Sequence, residues 1–288
     1  MKLVFLHGRA QGGKNPSDLK EIWLNTFAEG LTKSQLKLDI DDIDVIFPFY
    51  GDELDTMTND FYKATPEIIK KGTELTTPPT AFTNFLEEIA ENEGLRLDEI
   101  QKNSGDEILE RGPLNWGWTQ ALLRALDRHG KWGEIALRKY TFDVFLYLTV
   151  PAIREKIDEI VTSQLPKDDE FVLVSHSLGT VISYNVLIAN PELEVKKFIT
   201  IGSPLGLKSV KRYLKAPLQM PRCVKNGWYN AYDDGDVVAL NPLNKQNFFT
   251  NPEIVNSNHV NNSTDNQHGI EGYLDDSEIA KTIYDNLS

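Results

Sequence analysis

The chain has one cysteine, fewer basic than acidic residues, and no long apolar run. Because Cys223 has no second thiol to pair with, no intrachain disulfide can form. The longest stretch of low polarity covers residues 144–153, far short of the ~18 residues that a membrane span requires. The apolar run at residues 3–6 ends at once in His7, so no secretory signal peptide is expected. These absences predict a cytoplasmic protein with no stable membrane association.

The charge balance argues against two classes of partner. Acidic residues outnumber basic ones by 43 to 30, so the net charge is −13 over 288 residues. Nucleic acids and anionic membrane surfaces attract basic proteins, and both should repel this chain. The hydrophobic share of 40% is nevertheless that of a protein able to build a core. The composition therefore favours a globular protein that acts on a small molecule, without nucleic acid.

Short apolar runs recur along the chain and have the length of buried strands. Their apolarity is continuous, which is typical of strands covered on both faces in a parallel sheet. Stretches with helical spacing of apolar residues, such as 17–30 and 152–164, fill several of the gaps. This alternation predicts an α/β fold with a mainly parallel sheet of about six strands flanked by helices. The predicted strands are residues 3–6, 43–47, 171–174, 198–201, 228–232 and 253–256.

Residues 52–142 break this rhythm. They contain no convincing buried strand, but they include helical stretches such as 118–128 and three of the five tryptophans. We expect an inserted helical cap or lid region between two parts of one core, residues 1–51 and 143–288. Its tryptophans either form a small core of their own or partly face a substrate pocket, and the two interpretations are compatible. The tryptophans in question are Trp116, Trp118 and Trp132.

A candidate nucleophile follows the third predicted strand, in the sequence Ser-His-Ser-Leu-Gly at residues 175–179. A serine on a sharp turn between a strand and a helix, with small residues two positions away on each side, is the context of a nucleophile elbow. Such a turn exposes the Ser177 hydroxyl and places the Leu178 N–H at a helix N-terminus, where it can stabilise an oxyanion. The alternative is an ordinary N-cap serine. Because adjacent residues on a tight turn cannot easily face each other, we interpret His176 as a packing or pocket residue.

This context resembles the α/β-hydrolase superfamily, and within it the lipase- and esterase-like serine hydrolases. The similarity covers roughly residues 1–50 and 150–288, and Ser175 stands where the usual pattern has glycine. The resemblance implies an α/β-hydrolase fold and cleavage of a carboxylic ester through an acyl-enzyme on Ser177. Thioesterase, amidase or acyltransferase activity with the same residues remains open. A non-catalytic interaction module on the same fold is the alternative from another class.

The same resemblance implies an oxyanion hole, and it implies a reaction that needs no cofactor. His7 and Gly8 follow the first strand, as in the family's His-Gly loop, so the backbone N–H of Arg9 would be the donor that pairs with Leu178. The Arg9 guanidinium could bind a substrate carboxylate or phosphate. In a chain with 43 acids, however, we favour its pairing with a surface acid. No Cys/His array or loop of the kind that binds zinc, calcium or nucleotides is present in the sequence, so we expect no metal site.

In this superfamily the catalytic residues follow the chain order Ser, then Asp or Glu, then His. The candidate acid and base therefore lie after Ser177 in the chain. Asp236 lies after a glycine turn and matches the Asp-x-Val pattern of lipase-like relatives, with Asp233 as its rival. His268 matches the family ending His-x-x-x-x-Tyr-Leu, with His259 as the alternative base. The expected triad is therefore Ser177, Asp236 and His268.

Overall fold

The computed structural model forms one α/β fold in which helices cover both faces of a single sheet. In the described residues, the strands are β1 (Lys2–Leu6), β2 (Asp44–Ile46), β3 (Phe171–His176), β4 (Val195–Ile201), β5 (Trp228–Ala231) and β6 (Val255–Ser257). These six strands lie in the order β2-β1-β3-β4-β5-β6, and every neighbouring pair is parallel. The predicted α/β class and the parallel sheet of about six strands are therefore confirmed. The residues that the structure describes are 2–9, 11–70, 77–102, 116–129 and 134–287.

The helical stretches predicted at residues 17–30, 118–128 and 152–164 lie within α1 (Pro16–Lys33), α5 (Trp116–His129) and α7 (Pro151–Gln164). Helix α1 begins with Pro16, and the Asn15 side chain caps it by accepting the Ser17 N–H at 2.8 Å. Over the described parts of the chain, no helix is both long and apolar enough to cross a membrane. The helices are α1 (Pro16–Lys33), α2 (Gly51–Lys70), α3 (Thr77–Asn92), α4 (Leu97–Lys102), α5 (Trp116–His129), α6 (Glu134–Thr149), α7 (Pro151–Gln164), α8 (Leu178–Ala189), α9 (Lys208–Lys211), α10 (Glu271–Leu274) and α11 (Ser277–Leu287).

The sheet is buried on both faces, which explains the continuous apolar runs in the sequence. In β1, Val4 and Leu6 belong to one hydrophobic cluster, whereas Leu3 and Phe5 belong to a second cluster. Successive side chains of a strand point to opposite faces, so both sets must be apolar. Helices α1 and α11 cover the second cluster, and α7, α8 and the helices of the inserted region cover the first.

The described helices of the inserted region are packed into the same core as the sheet. Phe82 of α3, Leu122 of α5 and Phe145 of α6 lie in the hydrophobic cluster that contains Val4. The predicted boundary between residues 142 and 143 falls inside α6. Trp118 is fully buried, and its indole N–H donates to Glu87 Oε1 at 2.6 Å. The Trp116 side chain and the whole of Trp132 lie outside the described part of the chain.

Helix α8 approaches the end of β1 at closest range through Gly179. A Cβ atom built on Gly179 would lie 2.5 Å from the carbonyl oxygen of His7 and 2.6 Å from that of Leu6. Both neighbours are backbone atoms, which cannot rotate away as a side chain does. The small residue two positions after Ser177 is thus required by contact between α8 and the neighbouring strand.

Replacing Gly179 with alanine should therefore destabilise the protein, although alanine is the better helix former. We expect a loss of about 1–3 kcal/mol in the free energy of unfolding, because the added methyl group forces backbone shifts. Urea unfolding measures this loss. Ser163→Ala on the exposed side of α7 is the control and should change stability by less than about 0.5 kcal/mol. A Gly179→Ala protein as stable as this control would contradict the close approach.

Candidate active site

The candidate site lies at the carboxyl ends of β1 and β3, where the strand order of the sheet reverses. From β1 the chain goes outward to β2 at one edge, and from β3 it goes the other way to β4. In parallel sheets such a switch point leaves a crevice outside the strand ends, and ligands bind there. His7 and Gly8 follow β1, while Ser177 follows β3. The topology therefore brings these two loops together at the place where a binding site is expected.

Ser177 occupies a strained turn between β3 and α8. Its backbone has φ 57° and ψ −128°, a region that residues with a side chain rarely adopt. The Ser177 N–H donates to the carbonyl oxygen of Ile201 at 3.1 Å, which links the turn to the end of β4. The Ser177 side chain makes no capping hydrogen bond to α8, so the alternative of an ordinary N-cap serine is wrong. The turn instead holds the hydroxyl at the sheet edge.

Ser177, His268 and Asp236 form one hydrogen-bonded chain. His268 Nε2 lies 2.9 Å from Ser177 Oγ, and His268 Nδ1 lies 2.6 Å from Asp236 Oδ2. Because a carboxylate can only accept, Nδ1 carries the proton, which leaves Nε2 of the neutral ring to accept from the Ser177 hydroxyl. All three residues are buried, with Ser177 only 1% exposed and Asp236 0%. The three residues expected from the sequence are thus brought together in the order that proton transfer from serine requires.

The Asp236 carboxylate is held from two further directions. Its Oδ1 accepts the N–H of Val238 at 3.1 Å, and its Oδ2 accepts the hydroxyl of Tyr273 at 2.7 Å. Burial, and secondly the nearby Asp236, raise the pKa of Tyr273 well above its usual value. The phenol therefore stays protonated and remains a donor. These contacts fix the carboxylate while its Oδ2 orients His268.

The rival acid, Asp233, has a different role. Its two carboxylate oxygens accept the N–H of Gly235 at 2.6 Å and the N–H of Asn262 at 2.5 Å. The first bond is an Asx-type turn, and the second ties this turn to the loop that carries His268. Asp233 therefore links the turn that precedes Asp236 to the loop that carries His268. The structure also leaves His259 exposed on that loop, whereas His268 is the histidine bonded to Ser177.

His176 contacts the backbone of His268. Its Nε2 lies 2.9 Å from the carbonyl oxygen of His268, and the two ring centroids are 4.8 Å apart. Burial, and secondly the neighbouring His268, lower the pKa of His176 well below its usual value. The ring is therefore neutral, and its Nε2–H is the donor to the carbonyl. The expectation that His176 is a packing or pocket residue is incomplete, because the side chain also makes this polar contact.

The loop after β1 passes directly beside Ser177. A Cβ atom on Gly8 would lie 2.8 Å from Ser177 Cβ and 3.2 Å from Ser177 Oγ, so only glycine fits here without a shift. The Tyr50 hydroxyl lies 2.6 Å from the carbonyl oxygen of His7 and 3.1 Å from that of Gly8. It holds this loop in place as a donor. Gly8 and Ser177 are therefore in contact. The two residues expected to supply oxyanion donors come directly after them, because Arg9 follows Gly8 and Leu178 follows Ser177.

The Arg9 side chain forms an ion pair that the sequence did not predict correctly. Its Nε lies 3.1 Å from Asp143 Oδ2 on α6, and the side chains are 11% and 7% exposed. The partner is therefore a buried acid of the helical region and not the surface acid expected from composition. Burial weakens solvent screening of this pair, and loss of either side chain would leave the other buried without its partner. The pair thus links the loop beside Ser177 to α6.

Comparisons with known proteins give no family for this chain. No family model, curated protein or solved structure matches it. Within the described ranges, no group of three or more histidine, cysteine or acidic side chains is arranged to hold a metal ion. The chemistry of the site must therefore be read from the geometry of its own residues.

Sequence reasoning missed the residues that support the site from a distance. Tyr273 had a signal, because it is the tyrosine of the His-x-x-x-x-Tyr-Leu pattern, but its bond to Asp236 was not foreseen. Tyr50 and Asp143 lie in segments with no motif. Each acts on a loop more than 40 positions before or after it in the chain, so only the folded arrangement reveals its partner.

His7 is a second buried histidine beside the site. Its Nδ1 lies 2.5 Å from the Gly8 carbonyl oxygen, and its Nε2 accepts the Tyr50 N–H at 3.3 Å. The ring stacks on Tyr50 with a centroid distance of 4.1 Å. Burial lowers the pKa of His7 to about 4. The neutral imidazole is therefore part of the folded structure around the Gly8 loop.

This lowered pKa predicts that the folded state loses stability in mild acid. Between pH 6.5 and about 4, the unfolded chain binds the His7 proton and the folded chain does not, so stability falls as the pH falls. From pH 7 to pH 5, His7 should contribute a loss of about 2 kcal/mol. Urea unfolding of wild type and His7→Gln at both pH values isolates this contribution. Equal losses in the two proteins would show that His7 titrates normally.

Proposed function

We propose that this protein is a serine hydrolase of the α/β-hydrolase type that cleaves a carboxylic ester through an acyl-enzyme on Ser177. The observation that carries the proposal is the chain of hydrogen bonds from Ser177 through His268 to Asp236 at a positive-φ turn between strand and helix. Supporting features are the all-parallel sheet and the contact between Gly8 and Ser177. A base held by a carboxylate and placed on a hydroxyl is the arrangement that makes serine nucleophilic.

In the first half-reaction, Ser177 Oγ attacks the ester carbonyl carbon while its proton moves to His268 Nε2. The carbonyl double bond opens, and its oxygen takes the negative charge of a tetrahedral intermediate. Asp236 stabilises the imidazolium and keeps Nδ1 protonated. When the intermediate collapses, the bond to the alcohol oxygen breaks, and His268 gives its proton to the leaving alcohol. The acyl group then remains on Ser177.

In the second half-reaction, water takes the place of the alcohol. His268 Nε2 removes a proton from the water as it attacks the acyl carbon, and then returns that proton to Ser177 Oγ as the carboxylic acid leaves. The oxyanion in both half-reactions would be held by the N–H groups of Arg9 and Leu178. The latter lies in the first turn of α8, where N–H groups have no partner within the helix. No cofactor takes part in these steps.

The nucleophile is tested by covalent labelling with a fluorophosphonate probe. We expect wild type to be labelled at one site and Ser177→Ala to be unlabelled, since only an activated serine attacks phosphorus at a useful rate. Ser163→Ala serves as the control for loss of an unrelated serine and should label like wild type. Equal labelling of Ser177→Ala and wild type would refute the assignment. A folded wild type that neither labels nor hydrolyses p-nitrophenyl esters would point to an interaction module.

The two neighbouring aspartates should give opposite results when each is changed to asparagine. Asp236→Asn should lower kcat by roughly 10⁴-fold, because His268 loses the partner that sets its tautomer. Asp233→Asn places an amide against two N–H donors, so it should cost about 1–3 kcal/mol of stability but lower kcat less than about 10-fold. Hydrolysis of p-nitrophenyl butyrate and urea unfolding measure both effects. The reverse pattern would make Asp233 the acid.

A further inference from the structure

The side chain before the nucleophile reaches the backbone of the base. His176 is the last residue of β3 and is paired in register with Ile201 of β4, so the sheet fixes its position. Its ring extends to His268, whose carbonyl oxygen accepts from Nε2 at 2.9 Å. Ser177, the next residue, contacts the side chain of the same histidine, since its Oγ lies 2.9 Å from His268 Nε2. One histidine is thus held at two points by two adjacent residues.

We propose that His176 is a positioning residue that sets the separation between the nucleophile and the base. The inference rests on the proposed function, because a separation matters only if a proton is transferred. Besides the direct contact of Ser177 Oγ with His268 Nε2, a second connection runs from Ser177 through one peptide unit, the His176 side chain and one hydrogen bond to the backbone of His268. It does not pass through the inserted helical region. The end of β3 therefore holds both the nucleophile and the backbone of the base.

Asp233 holds the loop that carries His268 by accepting the N–H of Asn262, but this contact lies six residues before His268. Between the end of β6 at Ser257 and the start of α10 at Glu271 there is no regular structure. The His268 N–H donates to Asn266 Oδ1 at 3.2 Å, which is a contact within the loop and does not fix the loop to the sheet. The bond from His176 does so at His268 itself. Misplacement of a reacting group by about 1 Å can cost 10²-fold in rate.

The surroundings of His176 keep it a neutral donor. Its ring is packed against Trp23 at 6.3 Å and Tyr273 at 5.8 Å between centroids, and it is 8% exposed. Gly202, with φ 57°, passes so close that a Cβ atom there would lie 3.3 Å from the His176 ring. In this packing, Nε2 lies against the carbonyl oxygen of His268. The same phenol that braces Asp236 therefore also packs against the residue that braces His268.

Three substitutions separate positioning from packing. His176→Gln places an amide N–H near the site of Nε2 and so keeps a donor. His176→Leu fills the space without a donor. His176→Asn has a donor, but its side chain is too short to reach the carbonyl oxygen of His268. We expect kcat for p-nitrophenyl butyrate to fall about 10–100-fold in the Leu and Asn variants with KM changed little. His176→Gln should recover most of that loss. His259→Leu, at an exposed histidine of the same loop, is the control for general effects.

A second measurement does not depend on turnover. The proton between His268 Nδ1 and Asp236 should give a low-field resonance in the proton NMR spectrum of wild type, and it should shift or broaden in His176→Leu but persist in His176→Gln. If the resonance behaves in this way in the three proteins but wild type neither labels nor hydrolyses esters, the proposed function fails, and the role of His176 in positioning His268 stands. If His176→Leu keeps both the resonance and wild-type kcat, or if Leu and Gln variants lose them equally, the inference about His176 is wrong.

Discussion

Everything at the site depends on the abrupt reversal of the chain between β3 and α8. A strand that ends in a helix within one residue requires the positive φ of Ser177, and the helix can then start only if it passes close to the neighbouring strand. Gly179 permits this approach, because its missing side chain leaves room for the carbonyl groups at the end of β1. The same contact brings Gly8 against Ser177. The nucleophile, the loop beside it and the first turn of α8 are therefore parts of one packing constraint.

Burial is the second constraint on the site, because it determines which side chains around Ser177 can carry a charge. His7 and His176 are enclosed and neutral, so each acts through a defined N–H: one toward its own loop, the other toward His268. Tyr273 is likewise held in its protonated form beside Asp236. Electrostatic interactions are stronger in such an environment than in water. The Tyr273 phenol is thus a donor to the Asp236 carboxylate that keeps its proton.

The fold was largely predictable because its signals are local. Six apolar runs correspond to the six strands, and in β1 the two-sided burial that they implied is seen in the alternation of Val4 and Leu3 between two clusters. The end of the inserted region was less predictable. Residues 144–149 are apolar enough to suggest core, and they are core, but they continue α6 instead of beginning a new unit. Continuous apolarity reports burial and does not by itself distinguish a helix from a strand.

By itself, the sequence determined the α/β class and the position of the sharp turn at Ser177, and it limited the acid to Asp236 or Asp233 and the base to His268 or His259, because each has a signature within a few neighbouring positions. Only the tertiary structure decided which aspartate contacts the histidine, and that His176 and Tyr273 hold the pair from outside. His176 and His268 are 92 positions apart, and Asp236 and Tyr273 are 37 apart. A hydrogen bond over such a separation depends on how β3, the Asp236 loop and the final helices pack. That packing has no local signature in the chain.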